Sequence, residues 1–219
     1  GGHGTDEVLF TSSAGHDVEL GGVEFVVGGS GSDRLTVTTN DVQQVSGGDG
    51  LDEVLLSTSS GTTLLLDGVE FVVGGSGSDR LTVTDGTSVV IDGGLGNDTL
   101  VGGFGDDTLL GGSGDDTLVG GSGDDVFVVD GGEDVIDGGA GHDALDFSAS
   151  VSGVQVDLST GAFVDGEGFE DQFSSIEIVT GSDAADTLVG SEDVDTLIGG
   201  GGDDTLVGGG GDDLVDGGL

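Results

Sequence analysis

The 219 residues include 51 glycines, 44 acidic side chains and only two basic ones, for a formal charge of −42. That balance disfavours any contact with a nucleic-acid backbone. The absence of cysteine removes disulfides and thiolate chemistry, and the absence of proline, with no glycine at every third residue, excludes collagen. Yet 33% of the residues are hydrophobic, too many for a solvated acidic tail. Self-repulsion and apolar content are reconciled if bound cations cancel charge and add their binding energy to folding.

Residues 1–92 carry a repeat of 46. Each half opens on a glycine loop, GGHGTDEVL or GGDGLDEVL, and each contains GVEFVVGGSGSDRLTV, at 22–37 and 68–83. A period of 46 is five nines plus one, and the extra residue is expected as a bulge in a turn. Val23-Glu24-Phe25-Val26, Val69-Glu70-Phe71-Val72 and Ile176-Glu177-Ile178-Val179 each set a Glu nine residues before an Asp, namely Asp33, Asp79 and Asp186. Such a Glu is either a solvated residue of an alternating strand or a partial metal ligand.

Residues 93–146 are six abutting nonapeptides, beginning GGLGNDTLV, GGFGDDTLL and GGSGDDTLV. Asp98, Asp107, Asp116, Asp125, Asp134 and Asp143 form one column, and Leu100, Leu109, Leu118, Phe127, Ile136 and Leu145 a second. Repetition this strict signals a solenoid. Residues 147–180 interrupt the pattern: 154–158 alternates as an edge strand does, and Thr160 to Gln172 reads as a protruding acidic loop. The frame returns over 181–219 with Asp186, Asp195, Asp204 and Asp213, followed by Leu188, Leu197, Leu206 and Val215 as inward candidates. The four segments are expected to form one continuous roll. Because the chain opens within a repeat and closes on Gly217-Gly218-Leu219 as another would begin, it reads as part of something longer.

A glycine-rich hexapeptide ending in Asp can curl so that its carbonyls converge, in conformations glycine reaches cheaply. The next three residues form a short strand whose central side chain points inward. Two such units make a flattened coil of 18 residues, and residues 18 apart stack. Stacking pairs Asp98 with Asp116, Asp107 with Asp125, Asp116 with Asp134, Asp125 with Asp143, Asp186 with Asp204 and Asp195 with Asp213. Asp33/Asp52 and Asp79/Asp98 join if the bulge absorbs one residue, and Asp6/Glu24 and Asp52/Glu70 extend the set. Two carboxylates plus loop carbonyls supply the roughly six to eight hard oxygens that calcium prefers and magnesium tolerates poorly. About eight to ten Ca2+ ions are expected, with Asp6, Asp33, Asp52, Asp79, Asp98, Asp107, Asp116, Asp125, Asp134, Asp143, Asp186, Asp195, Asp204, Asp213, Glu24 and Glu70 as ligands. Shared loops should make filling cooperative. Ninth-position residues such as Val101, Leu110, Val119 and Val128 should face outward, either as a packing surface or as mere strand propensity.

The pattern GGxGxDxUx, with U a large apolar residue, resembles the RTX repeats of secreted bacterial proteins, most cleanly at 93–128 and 199–213. DFSASVSGVQVDLSTG at 146–161 followed by SSIEIVTGS at 174–182 is similar to a segment that often interrupts such arrays. The resemblance implies an all-β, right-handed parallel β-roll that folds on calcium binding after type I export from a Gram-negative bacterium. It implies partners in the form of further domains of a longer chain, or self-association into a lattice, filament or adhesin. A polysaccharide-binding accessory module is the other reading. Departures weaken single sites: glycines are lost at 129 and 130, GSDA at 181–184 and GSED at 190–193 are degenerate, and Asp17 lies where an apolar residue is expected. No HExxH or GxSxG occurs, and His3, His16 and His142 form no compact metal spacing, so no enzyme is expected. No apolar run approaches the roughly 20 residues of a membrane helix.

Overall fold

Each nonapeptide sets a glycine turn beside a three-residue strand, so the strands stay short and stack in register. A computed structural model describes residues 5–10 and 14–219; His3 and the opening glycines of the first loop lie outside the described residues. Among the described residues, 24 strands form two sheets, of 13 and 11 strands, and successive strands alternate between the sheets over 5–146. Almost every pairing is parallel, the β-roll topology expected from the repeat. Over 93–146 the register is 18 residues: Leu118 lies between Leu100 and Ile136 in one sheet, and Phe127 between Leu109 and Leu145 in the other. These central side chains are 0–1% exposed and face one another in a core one side chain thick.

The first 92 residues keep the same architecture with looser coils. Val18 pairs with Leu35, Val26 with Val45 and Val45 with Leu66, spacings of 17, 19 and 21 residues. The extra residue of the 46-residue period falls in the glycine-poor half-turns 38–43 and 84–89, outside the strands. Five half-coils carry a sequence to the opposite side of the roll. Accordingly Phe25–Ser30 belongs to the larger sheet, whereas the matching Phe71–Val73 belongs to the smaller one. One string therefore fits both sides, because both ask for the same turn, carboxylate and inward side chain.

Two expectations need correction. Residues 160–172 do not protrude as a whole: Gln155–Asp157, Ala162–Val164 and Glu170–Ser174 form an antiparallel meander within the larger sheet. Its outer strands pair in parallel with Thr187–Val189 and Val135–Ala140. The larger sheet thus gains three strands where the smaller gains one, Ile178–Thr180. Phe147, Phe163 and Phe173 fill the added width, with ring centroids 5.1 and 6.0 Å apart. Burying these rings stabilises the meander against the roll more than solvation of its acidic tip would stabilise a loose loop. Asp17 is exposed, and the inward position of its coil is taken by Val18. Val215 stands in register beside Leu197 on the inward column, as expected, and is 46% exposed at the edge of its sheet.

The outward ninth-position residues Val101, Leu110, Val119 and Val128 are half-buried by their neighbours along the sheet, and Val207 is exposed. Around them Phe71 and Val90 leave an apolar area on the smaller sheet, at 47% and 37% exposure.

The packing makes a direct stability prediction. Leu109→Ala should cost about 2–5 kcal/mol in saturating calcium, the range for emptying a tight core site. Val135→Thr on the outer face should cost under about 0.5 kcal/mol. Denaturant melts of both variants check this, and equal losses would contradict a core held by the inward column.

Candidate metal centre

The turn places the column aspartate immediately before each strand, with its carboxylate folded under the loop. There one oxygen has a fixed task. The backbone N–H of Asp98 donates to Asp116 Oδ1 at 2.7 Å, Asp107 to Asp125 at 2.8 Å, Asp116 to Asp134 at 2.9 Å, and Asp125 to Asp143 at 2.8 Å. The 19-residue pairs do the same, Asp33 to Asp52 and Asp79 to Asp98, both at 2.7 Å. Asp186 donates to Asp204 and Asp195 to Asp213, at 2.9 and 3.1 Å. Asp6 and Asp52 donate to Glu24 and Glu70 Oε2 at 2.7 Å each. All ten pairs expected from spacing are therefore stacked, and both glutamates stand in the columns instead of pointing freely into solvent.

The second oxygen is the anomaly. Oδ2 of Asp33, Asp52, Asp79, Asp98, Asp107, Asp116, Asp125, Asp143 and Asp204 is buried with no hydrogen-bond partner. A buried carboxylate oxygen left unpaired costs more than the hydrogen bond it lacks, and a charged one costs several kcal/mol. Each points at the space under the first glycine of its unit. A Cβ built on Gly93 would stand 2.5 Å from both Asp98 Oδ2 and the carbonyl oxygen of Gly111 in the next coil. An alanine there would fill the space where a carboxylate and a carbonyl converge. The second and fourth glycines serve the curl itself, with φ of +97° at Gly112 and +134° at Gly114, where a side chain would be strained.

Two units answer the anomaly from within. In the degenerate loops a serine replaces the second glycine, and Asp186 Oδ2 accepts from the N–H and Oγ of Ser182 at 2.7 and 3.2 Å. Asp195 Oδ2 accepts from the N–H and Oγ of Ser191 at 2.6 and 2.9 Å. Elsewhere the donor set is hard, anionic and short of hydrogen-bond donors. Such oxygens suit a calcium ion, and the residues present fit that group.

Sequence reasoning missed Asp171 and left Glu177 open as a solvated strand residue or a partial ligand. Asp171 accepts the N–H of Asp134 at 2.7 Å across 37 residues, and Glu177 accepts that of Asp143 at 3.0 Å across 34. Asp171 sits in no nonapeptide, so only the meander reveals it; Glu177 shares the sequence context of Glu24 and Glu70. Thr62, Val89 and Val154 occupy column positions without a carboxylate, but their N–H groups still donate to Asp79, Asp107 and Asp186. His16 lies against Asp33, Nδ1 to Oδ1 at 2.7 Å, and His142 is exposed.

The electrostatics follow from burial. Desolvation, reinforced by neighbouring carboxylates and opposed by the backbone N–H, pushes Asp79 up to about 6 and Asp116, Asp125 and Asp171 up to about 7. Asp52, Asp98, Asp107, Asp134 and Asp143 move the same way. The metal-free fold thus holds protons that the unfolded chain has already released. Its stability is greatest below the ordinary carboxylate range and falls as pH rises through about 7. In calcium-free buffer, lowering the pH from about 8 to about 5.5 should raise the strand content seen by circular dichroism. A metal-free chain that gains strand content as pH rises would contradict this.

The sequence pattern of the RTX calcium-binding nonapeptide repeat matches residues 66–87, 92–127, 110–145 and 180–215, together more than half of the chain. No curated protein matches the sequence. Stacked glycine turns, paired carboxylates and the matched pattern agree, and the chain belongs to the RTX calcium-binding nonapeptide repeat family as a calcium-binding structural module.

Proposed function

We propose that the column carboxylates hold eight to ten calcium ions and that the chain folds as these bind, outside the cell. The observation that carries this reading is the buried, unpartnered Oδ2 repeated down both columns. Unloaded, each must either take up a proton or stand as an uncompensated buried charge; loaded, it is a ligand, and its binding energy becomes folding energy. The ligands are those named from the sequence: Asp6, Glu24, Asp33, Asp52, Glu70, Asp79, Asp98, Asp107, Asp116, Asp125, Asp134, Asp143, Asp186, Asp195, Asp204 and Asp213. Asp171 and Glu177 extend the columns one step into the interruption. The sites of Asp186 and Asp195 are the weakest, because Ser182 and Ser191 already satisfy the oxygen that calcium would take. Segments 1–92, 93–146, 147–180 and 181–219 act as one array, since each loop is a wall of two sites.

Family membership supports placement in a secreted or cell-surface protein, exported unfolded where calcium is scarce and folded where it is plentiful. Further domains of a longer chain, or other copies in a lattice, filament or adhesin, are its expected partners. Among the described residues no helix is long and apolar enough to cross a membrane.

Asp107→Asn separates ligation from capping. The asparagine keeps Oδ1 to accept the Val89 N–H and replaces the anionic Oδ2 with an uncharged NH2 group that cannot ligate the ion. Equilibrium dialysis should count eight to ten ions on the native chain, and the variant should lose one ion or bind it at least tenfold more weakly. Unchanged count and affinity would reduce the column aspartate to a turn cap.

A further inference from the structure

Asp130 breaks the repeat. It stands where neighbouring units carry their second glycine, and the Gly112 N–H donates to its Oδ2 at 2.7 Å. Its Oδ1 is buried without a partner. Carboxylate oxygens of Asp116, Asp130 and Asp134 lie within 4.8 Å of one another. The lost glycine therefore adds a third carboxylate between two stacked column aspartates.

The tip of the meander docks on the same loop. Asp165 Oδ1 accepts the N–H groups of Glu167, Gly168 and Phe169 at 2.9, 2.6 and 2.8 Å, which fixes the turn. Its Oδ2 has no partner although the residue is only 6% exposed. Asp171, 1% exposed, gives Oδ1 to the Asp134 N–H and also leaves Oδ2 orphaned. The charge of Asp165 bears on both Asp134 and Asp171 and raises the pKa of each. Asp130, Gly131, Asp165 and Glu167 line one cleft of about 360 Å³. A Cβ on Gly131 would meet Glu167 Oε2 at 2.8 Å, so that carboxylate covers the loop. Among the described residues no arginine or histidine pairs with any of these acids. Two acidic segments are thus pressed together with four buried oxygens, on Asp116, Asp130, Asp165 and Asp171, lacking any partner.

We propose that the loop 129–134 and the tip 165–171 build a calcium site with its own donor set, which fills before the repeat sites. This rests on the column reading for Asp116 and Asp134, and adds Asp130, Asp165 and Asp171 from outside the nonapeptide pattern. Affinity in an oxygen cage rises with the number of charged ligands, and among the described residues Asp116, Asp130 and Asp134 are the one set of three acids whose oxygens converge within 4.8 Å. Calcium at low concentration would thereby fasten the meander to the roll first.

The test is a calcium titration of the full chain in competition with a fluorescent chelator. On the native chain one ion should bind at least tenfold more tightly than the rest. Asp130→Gly restores the glycine of the repeat, and Asp165→Asn keeps the turn cap while removing charge. Each should abolish the tight step and leave the later ions in place. If Asp130→Gly does not fold, Asp165→Asn decides alone. A tight step that survives in the variant, or is missing from the native chain while the other ions bind, overturns this site and leaves the repeat reading standing. A native chain that binds no calcium overturns both.

Discussion

Everything in this roll depends on carboxylates stacked on carboxylates. The backbone N–H of one column aspartate is tied to the side chain of the next, so every coil is registered on its neighbour through an acid. That hydrogen bond spends one oxygen and buries the other. A chain with 44 acidic and two basic side chains cannot supply cations from within, and Arg34 is in any case turned to Glu53. Burial of unpaired charge opposes the fold that the leucine column favours. Under the proposed function, calcium reverses the sign of that contribution at each turn whose oxygen lacks a partner.

The other features follow from this constraint. The first glycine of each unit leaves room for the free oxygen and the facing carbonyl, and the second and fourth let the loop curl. The three-residue strand is enough to bury one apolar side chain, and the solenoid multiplies that small gain along its axis. The meander at 155–174 widens one sheet, and Asp171 and Glu177 extend the columns one step past the nonapeptides that end at 146. Substitution by serine at 182 and 191 shows the alternative way of satisfying the same oxygen, with a hydroxyl and an amide in place of an ion.

Much of this was legible in the sequence. The spacing of Asp98 to Asp143 and of Leu100 to Leu145 specified the two columns, the 18-residue coil and the pairs, because a strict period leaves few ways to stack. Glu24 and Glu70 were ambiguous, since an alternating strand and a degenerate half-turn share one pattern until the register is known. The segment 160–172 misled because Gly and acidic residues outweigh Phe163 in any local reading, and the phenylalanines that hold it are far apart in sequence. Asp130, Asp165 and Asp171 were invisible for a related reason: they break or lie outside the period, and only the folded meander brings them together.

The central claim is that calcium and the fold are one equilibrium. Far-UV circular dichroism of the full chain, followed through a calcium titration with magnesium as control, tests it most directly. A cooperative transition from coil to sheet with calcium alone is the expected result. Full sheet structure in chelator at neutral pH would show that the leucine column suffices to hold the roll, and would contradict the account even if ions still bind.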